Sequence, residues 1–282
     1  MAAVISGLKV TGESFSDQRL VVFGAGTAGT GMADQIHAAM VRDGLNEADA
    51  RARIWLVDRD GLVTDDMDAL PDYQQAYARP ASEVASWKRH GRRIELLDVV
   101  ERVEPTILIG TSTLHNAFTE EVVTALARGV ERPILLPLSN PTSRIEVSPE
   151  DAIRWSDGRA LLATGIPVPP IEYEGTTFHI GQGNNALLYP GLGLGTIVAG
   201  ASRITDGMLL AAARAVAGQV DATPLGSSLL PAVEDLRASS ATVAVAVIEA
   251  AQADGVAAAD VGDPVQAVLD AMWQPVYPDD LG

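Results

Sequence analysis

The sequence predicts an α/β fold, a doubly wound parallel sheet with extra helices towards its C-terminal end. Three observations carry that reading. Short apolar runs alternate with segments of helical periodicity as far as Thr164. The first clear run, 19–23, feeds into the glycine-rich stretch FGAGTAGTG at 23–31. From Pro190 onward the pattern is helical and rich in alanine.

Taken in order, residues 2–10 (AAVISGLKV) are small and apolar, so 1–14 is expected to be the remnant of a preceding helix. Residues 19–23 read as a buried strand, and 27–42 as a helix running into the Asp43-Gly44 stop. A loop over 43–52 leads to a strand, RIWLV at 53–57, that ends at Asp58. The acidic run Asp65-Asp66-Met67-Asp68 reads as a solvated loop, and the polar stretch 70–92 as loop or broken helix. Helix is expected over 93–102 and 119–129, and strand over 106–110, 133–138 and 160–164. Ser148-Pro149-Glu150 is a helix start: an N-cap, a proline at the first helical position and an acid in the first turn. Three further helices are expected at 191–203, 206–218 and 231–253, within a helical C-terminal part covering 190–282. No repeat, low-complexity linker or clear domain boundary interrupts the pattern.

Composition narrows the function. With 37 acidic and 20 basic residues the net charge is −17, which repels nucleic acid and anionic membrane at long range. An acidic chain that binds an anion needs local devices such as a helix N-terminus. There is no cysteine, no apolar stretch approaches the ~18 residues of a membrane span, and Met1-Ala2-Ala3-Val4 opens no signal peptide. A soluble cytoplasmic protein is the expectation. Positive charge is nearly all arginine, with lysine only at Lys9 and Lys88. Arginine is a poor proton shuttle, so general bases are scarce.

Gly24, Gly26 and Gly29 match the G-x-G-x-x-G turn of a Rossmann-like fold, in the required context of strand, turn and helix. The glycines let the backbone of Gly24–Gly29, including Thr27 and Ala28, approach a pyrophosphate at a helix N-terminus. A tight turn with close helix packing is the competing reading. Asp58, at the end of the second strand, is the expected partner of the adenine ribose hydroxyls, although it lies further beyond Gly29 than the usual ~20 residues. A carboxylate there favours NAD, since it would repel a 2′-phosphate; Arg59 next door could instead pair with that phosphate of NADP.

In open α/β sheets ligands lie beyond the carboxyl ends of the strands. Three polar loops should converge there: Gly110-Thr111-Ser112-Thr113, Ser139-Asn140-Pro141-Thr142, and Gly181-Gln182-Gly183-Asn184-Asn185. Their asparagine amides can bond to a carboxylate or carboxamide without adding charge. The second glycine run, Pro190-Gly191-Leu192-Gly193-Leu194-Gly195, reads as close packing against the cofactor domain and not as a phosphate loop. His37, His90, His115 and His179 have no ligand spacing, and no G-x-S-x-G is present. The sequence therefore offers no catalytic nucleophile and no metal ligand set.

Long stretches in order along nearly the whole chain then resemble one family. FGAGTAGTGMADQI, LVDRDGLVTDDM, PTILIGTSTLHNAFTEEVV, RPILLPLSNPTSRIEVSPEDA, ALLATGIPVPP and IGQGNNALLYPGLGLGTIVAGASRITD are similar to the C-terminal, NAD-binding domain of malic enzymes. The likeness is to the bacterial NAD-linked and malolactic branch. It implies that 1–282 is one such domain, that the Gly24–Gly29 turn and Asp58 bind NAD, and that Thr111–Thr113 border the nicotinamide. It also implies that Asn140, Asn184 and Asn185 contact malate and nicotinamide. Gln74 resembles the residue of NAD-linked members, where NADP-linked animal forms tend to carry lysine. The family reaction is oxidative decarboxylation of L-malate to pyruvate and CO2 with NAD reduction. It uses a lysine base, a tyrosine acid and a divalent metal (Mn2+ or Mg2+) held by acidic residues, all in an N-terminal catalytic domain absent here. The expectation is thus a homo-oligomeric NAD-binding half that is catalytically incomplete alone. The alternatives are a malolactic enzyme, making lactate and CO2, and a stand-alone NAD-binding module. The tail Met272-Trp273-Gln274-Pro275-Val276-Tyr277 leans to the NAD-malic branch.

Overall fold

The computed structural model describes residues 1–91 and 93–273 of the 282. Two compact units emerge, Met1–Asn184 with Ala217–Ala232, and Asn185–Val216 with the chain from Val233.

The first unit opens with α1 (Ala2–Thr11), β1 (Leu20–Phe23), α2 (Thr27–Arg42), α3 (Glu47–Ala52), β2 (Ile54–Asp58), β3 (Gly61–Leu62) and α4 (Asp72–Gln75). It continues with α5 (Leu96–Val103), β4 (Ile107–Gly110), α6 (Glu120–Gly129), β5 (Ile134–Pro137), α7 (Pro149–Trp155) and β6 (Leu161–Thr164). A hairpin of β7 (Ile171–Tyr173) and β8 (Thr176–Phe178) precedes β9 (Gly181–Gln182). The main sheet runs β3-β2-β1-β4-β5-β6-β9. All its pairs are parallel except β2 with the edge strand β3.

This order reverses direction at β1: β2 lies on one side of it and β4 on the other. A dinucleotide crosses a sheet of this kind at that switch point, one half over each side. The strands are apolar on both faces, as buried parallel strands must be. Val21, Leu108, Leu135 and Leu162 share a core with Val99 of α5, Val123 and Leu126 of α6, and Ile153 of α7. The alternate residues face the other way, where Gly7 of α1 lies against Ile134 and Gly29 of α2 against Val22. Helices therefore cover both faces, as the doubly wound reading requires.

The α7 start is the one the sequence announces. The Ser148 hydroxyl accepts the Asp151 N–H at 3.1 Å, with Pro149 at the first helical position. Replacing Ser148 by alanine should cost about 1 kcal/mol in urea unfolding, because it strips one orphan donor of its partner.

Several elements differ from expectation. The loop over 43–52 contains α3, capped by Asn46, whose side chain accepts the Asp49 N–H at 2.9 Å. The helix expected from 93 begins at Leu96, because His90 and Arg93 first close a short bridge. The two-residue β3, the β7–β8 hairpin and β9 have no counterpart in the sequence reading, and a last helix falls within the expected helical C-terminal part without being placed individually.

The second unit is helical: α8 (Tyr189–Val198), α9 (Asp206–Ala217), α10 (Leu236–Ala253) and α11 (Pro264–Ala271). Its glycine run packs closely, as expected, and the partner is α10 of its own unit, where the sequence reading names the cofactor domain. A Cβ on Gly191 would lie 2.6 Å from the Ser240 carbonyl oxygen, and one on Gly195 2.6 Å from that of Ala244. From Gln274 the tail that leaned to one branch lies outside the described residues. Among the described residues no helix is long and apolar enough to cross a membrane.

Candidate functional site

The turn after β1 gives each of its three glycines a different physical role. Gly24 has φ +102, and a Cβ there would lie 2.5 Å from the Ser112 backbone nitrogen. Gly29 is in ordinary helical conformation, but its Cβ would lie 2.2 Å from the Gly24 carbonyl oxygen. Both glycines are required by the protein itself. Gly26 is not: its φ is −73, and nothing lies within 4 Å of where its Cβ would be. Gly26, Thr27 and Ala28 are exposed, while Gly24, Ala25 and Gly29 are buried. No side chain caps α2 at Gly26, and its exposed start carries the positive end of the helix dipole.

Asp58 stands at the end of β2, beside this turn. Gln74, buried at 6 % exposure, donates through Nε2 to the Ala25 carbonyl at 2.7 Å and to Asp58 Oδ2 at 3.0 Å. One amide thus ties the glycine turn to the strand-end carboxylate. Asp58 Oδ1 accepts the Arg59 N–H at 2.9 Å, and both oxygens keep lone pairs for further donors. The segment carrying Gln74 is pinned by Tyr77, whose hydroxyl donates to Asp34 of α2 at 2.7 Å. Burial, then that bond, push the Tyr77 phenol far above the ordinary tyrosine range, so it stays a donor.

These groups open on a cavity of about 1190 Å³ whose walls include Asp58, Arg59, Leu70, Tyr73, Gln74 and Ser112. The cavity has acids at Asp60, Asp66 and Asp68, balanced by Arg59, Arg89 and Arg93, with Arg93 3.4 Å from Asp60. The acidic run is an exposed loop, as expected, but Asp66 and Asp68 form part of this wall. His115 is exposed.

The loop after β4 adjoins the glycine turn directly. The Thr111 hydroxyl donates to the Gly24 carbonyl at 2.7 Å. Ser112 is held by Glu146, a fully buried carboxylate that the sequence reading missed. The signal for it was available: a lone acid between two apolar residues, Ile145 and Val147, just before a helix cap.

Asn140 follows β5, is exposed, and bends back so that its amide donates to the Leu138 carbonyl at 3.3 Å. Its peptide bond to Pro141 is cis. Asn184 ends the first stretch of the first unit after β9, its backbone N–H donating to the Gln182 carbonyl at 2.8 Å. The loops of Asn140 and Asn184 are neighbours, since a Cβ on Gly183 would lie 3.2 Å from the Leu138 side chain. Asn185 opens the second unit in a short 3-10 turn, Asn185–Leu187. The structure thus ties the Gly24–Gly29 turn to Asp58 through Gln74 and to Thr111 directly, with Asp58, Arg59, Gln74 and Ser112 in the cavity wall and Asn140 and Asn184 further along the sheet edge. Among the described residues no group of three or more His, Asp or Glu side chains is arranged to hold a metal.

The sequence matches the family described as malic enzyme, NAD binding domain, over residues 1–252. It is 55% identical over 279 residues to NAD-dependent malic enzyme 3 of Bacillus subtilis, covering 98% of this chain and 49% of that protein. It is 54% identical over 277 residues to a putative malate oxidoreductase [NAD] of Mycobacterium tuberculosis, covering 98% of this chain and 50% of that protein. The fold is similar to that in the crystal structure of malic enzyme from Pyrococcus horikoshii, with TM-score 0.73 and 24% identity over 96% of this chain and 56% of that one. A malic enzyme from Entamoeba histolytica gives TM-score 0.72 at 22% identity, over 96% of this chain and 50% of that one. The chain spans about half the length of the curated relatives it matches.

Proposed function

Because this chain belongs to the malic enzyme NAD-binding domain family, we propose that it is the NAD-holding part of a malate oxidoreductase converting L-malate to pyruvate and CO2. The observation that carries the reading is Gly26. Its conformation suits any residue and its Cβ would strike nothing, yet it stands between two glycines that the fold requires. Its smallness serves something outside the protein, and a pyrophosphate lying on the helix start fits that space.

The chain's residues then divide the work. Thr27 and Ala28 present backbone N–H groups to the phosphates. Asp58 accepts from the ribose hydroxyls and disfavours a 2′-phosphate, with Gln74 holding it in place. Thr111 and Ser112 border the nicotinamide half, and Asn140 and Asn184 offer neutral amides to carboxamide and substrate. Bound NAD supplies hydride acceptance. The described residues offer no grouped metal ligands, so no step through a metal is assigned to them. A base, an acid and the divalent ion belong, on this reading, to an N-terminal catalytic domain. A cytoplasmic, homo-oligomeric enzyme fits the same reading.

Calorimetric titration of the purified chain tests it. NAD should bind at one site per chain, with NADP weaker by about tenfold or more; absence of NAD binding overturns the proposal. With malate, NAD and Mn2+ the chain alone should form no NADH, and turnover at an ordinary enzyme rate of about 1 per second or faster would remove the claim of incompleteness.

A further inference from the structure

Glu146 is the most completely buried acid among the described residues, at 0 % exposure, and it faces donors only. Oε1 accepts the Ser112 N–H at 2.8 Å and the Ser112 hydroxyl at 2.9 Å, together with the Ser139 hydroxyl. Oε2 accepts the Ser139 N–H at 3.3 Å. Each serine hydroxyl in turn accepts a backbone N–H, from Leu114 at 3.1 Å and from Thr113 at 2.9 Å. The carboxylate is therefore the terminal acceptor of a network joining the loop after β4 to the loop after β5. Gly110 makes room for it, since a Cβ there would lie 2.6 Å from the Glu146 carboxyl carbon.

The position of this network gives it a purpose. Sheet order puts Asp58 on the β2 side of the switch point and both Glu146-held loops on the β4–β5 side. The adenosine half of a dinucleotide falls on the first side and the nicotinamide half on the second. Ser112, fixed by Glu146, is the residue of this network in the cleft wall. We infer that Glu146 is a positioning residue for the nicotinamide half of the cofactor, setting Thr111–Thr113 and Ser139–Asn140 in one geometry. The inference rests on the cofactor reading above.

The test is Glu146→Gln, titrated with NAD and with AMP, which carries the adenosine half alone. Glutamine keeps the shape but turns two donors of its own towards a ring of donors, so the loops cannot keep their arrangement. NAD should bind about tenfold more weakly or worse, while AMP affinity changes by less than about twofold, since its contacts lie elsewhere. Ser139→Ala, which removes one donor and no charge, should shift NAD in the same direction by about threefold with AMP again unmoved. It keeps the test available should the first variant fail to fold. Unchanged NAD affinity in a folded variant, or a parallel loss of NAD and AMP, overturns the inference. A wild-type chain that binds neither NAD nor AMP overturns the cofactor reading, and the inference with it; one that binds both leaves that reading standing whichever way the variants go.

Discussion

Alanine at position 29 should destabilise the chain by about 3 kcal/mol and abolish NAD binding, whereas alanine at position 26 should cost no more than about 1 kcal/mol yet weaken NAD at least ~tenfold. The two residues lie in the same turn, and the difference comes from what each Cβ would meet. At Gly29 it would lie 2.2 Å from the Gly24 carbonyl oxygen and 2.9 Å from a Val22 methyl, so α2 must lift from β1. Backbone cannot rotate away as a side chain can, and the turn would lose its shape before any ligand arrives. At Gly26 the methyl projects into solvent, and the small stability cost is that of a poorer N-cap. Urea unfolding and NAD titration of both variants separate the effects. If Gly26→Ala binds NAD as the wild type does, nothing approaches that backbone and the glycine turn is only a packing feature.

Much of the first unit was legible because buried parallel strands are short unbroken apolar runs. LVVF, ILIG and LLAT could be placed to within a residue or two, as could the cap at Ser148. What escaped was structure without a periodic signal. Gly61-Leu62 becomes a strand only because β2 is there to pair with it, two residues being too few to alternate. The β7–β8 hairpin, IEYEGTTF, mixes acids and threonines, since it lies outside the main sheet.

The candidate site divides in the same manner. Gly24 and Gly29 were readable from spacing because the turn itself demands them, and Asp58 from its place at a strand end. Gln74 sits in the polar stretch 70–92, where its neighbours give no hint that it is buried, and only the family resemblance singled it out. Glu146 was missed because its role depends on two serines brought to it from separate loops. Tertiary convergence of that kind leaves no periodic trace.

The pairing of Gln74 with Asp58 makes a second large effect testable. Asp58→Ala should lower NAD affinity about 10- to 100-fold, the range for losing charge-assisted hydrogen bonds, and should bring NADP to about equal affinity. With the Asp58 carboxylate gone, its repulsion of a 2′-phosphate is removed, and Arg59 is the adjacent exposed cation. Gln74→Ala should cost about 2–3 kcal/mol of stability, because it leaves the Ala25 carbonyl and Asp58 Oδ2 each without a donor and opens a small void. It should also loosen NAD, since an untethered Asp58 must be ordered by the ligand instead of beforehand. That second loss depends on the carboxylate, so in a double-mutant cycle the effects on NAD affinity should fall short of additive, by about 1 kcal/mol. Additive losses would mean that Gln74 acts through the glycine turn alone. An unchanged NAD-to-NADP ratio in Asp58→Ala would take the discrimination away from Asp58 altogether.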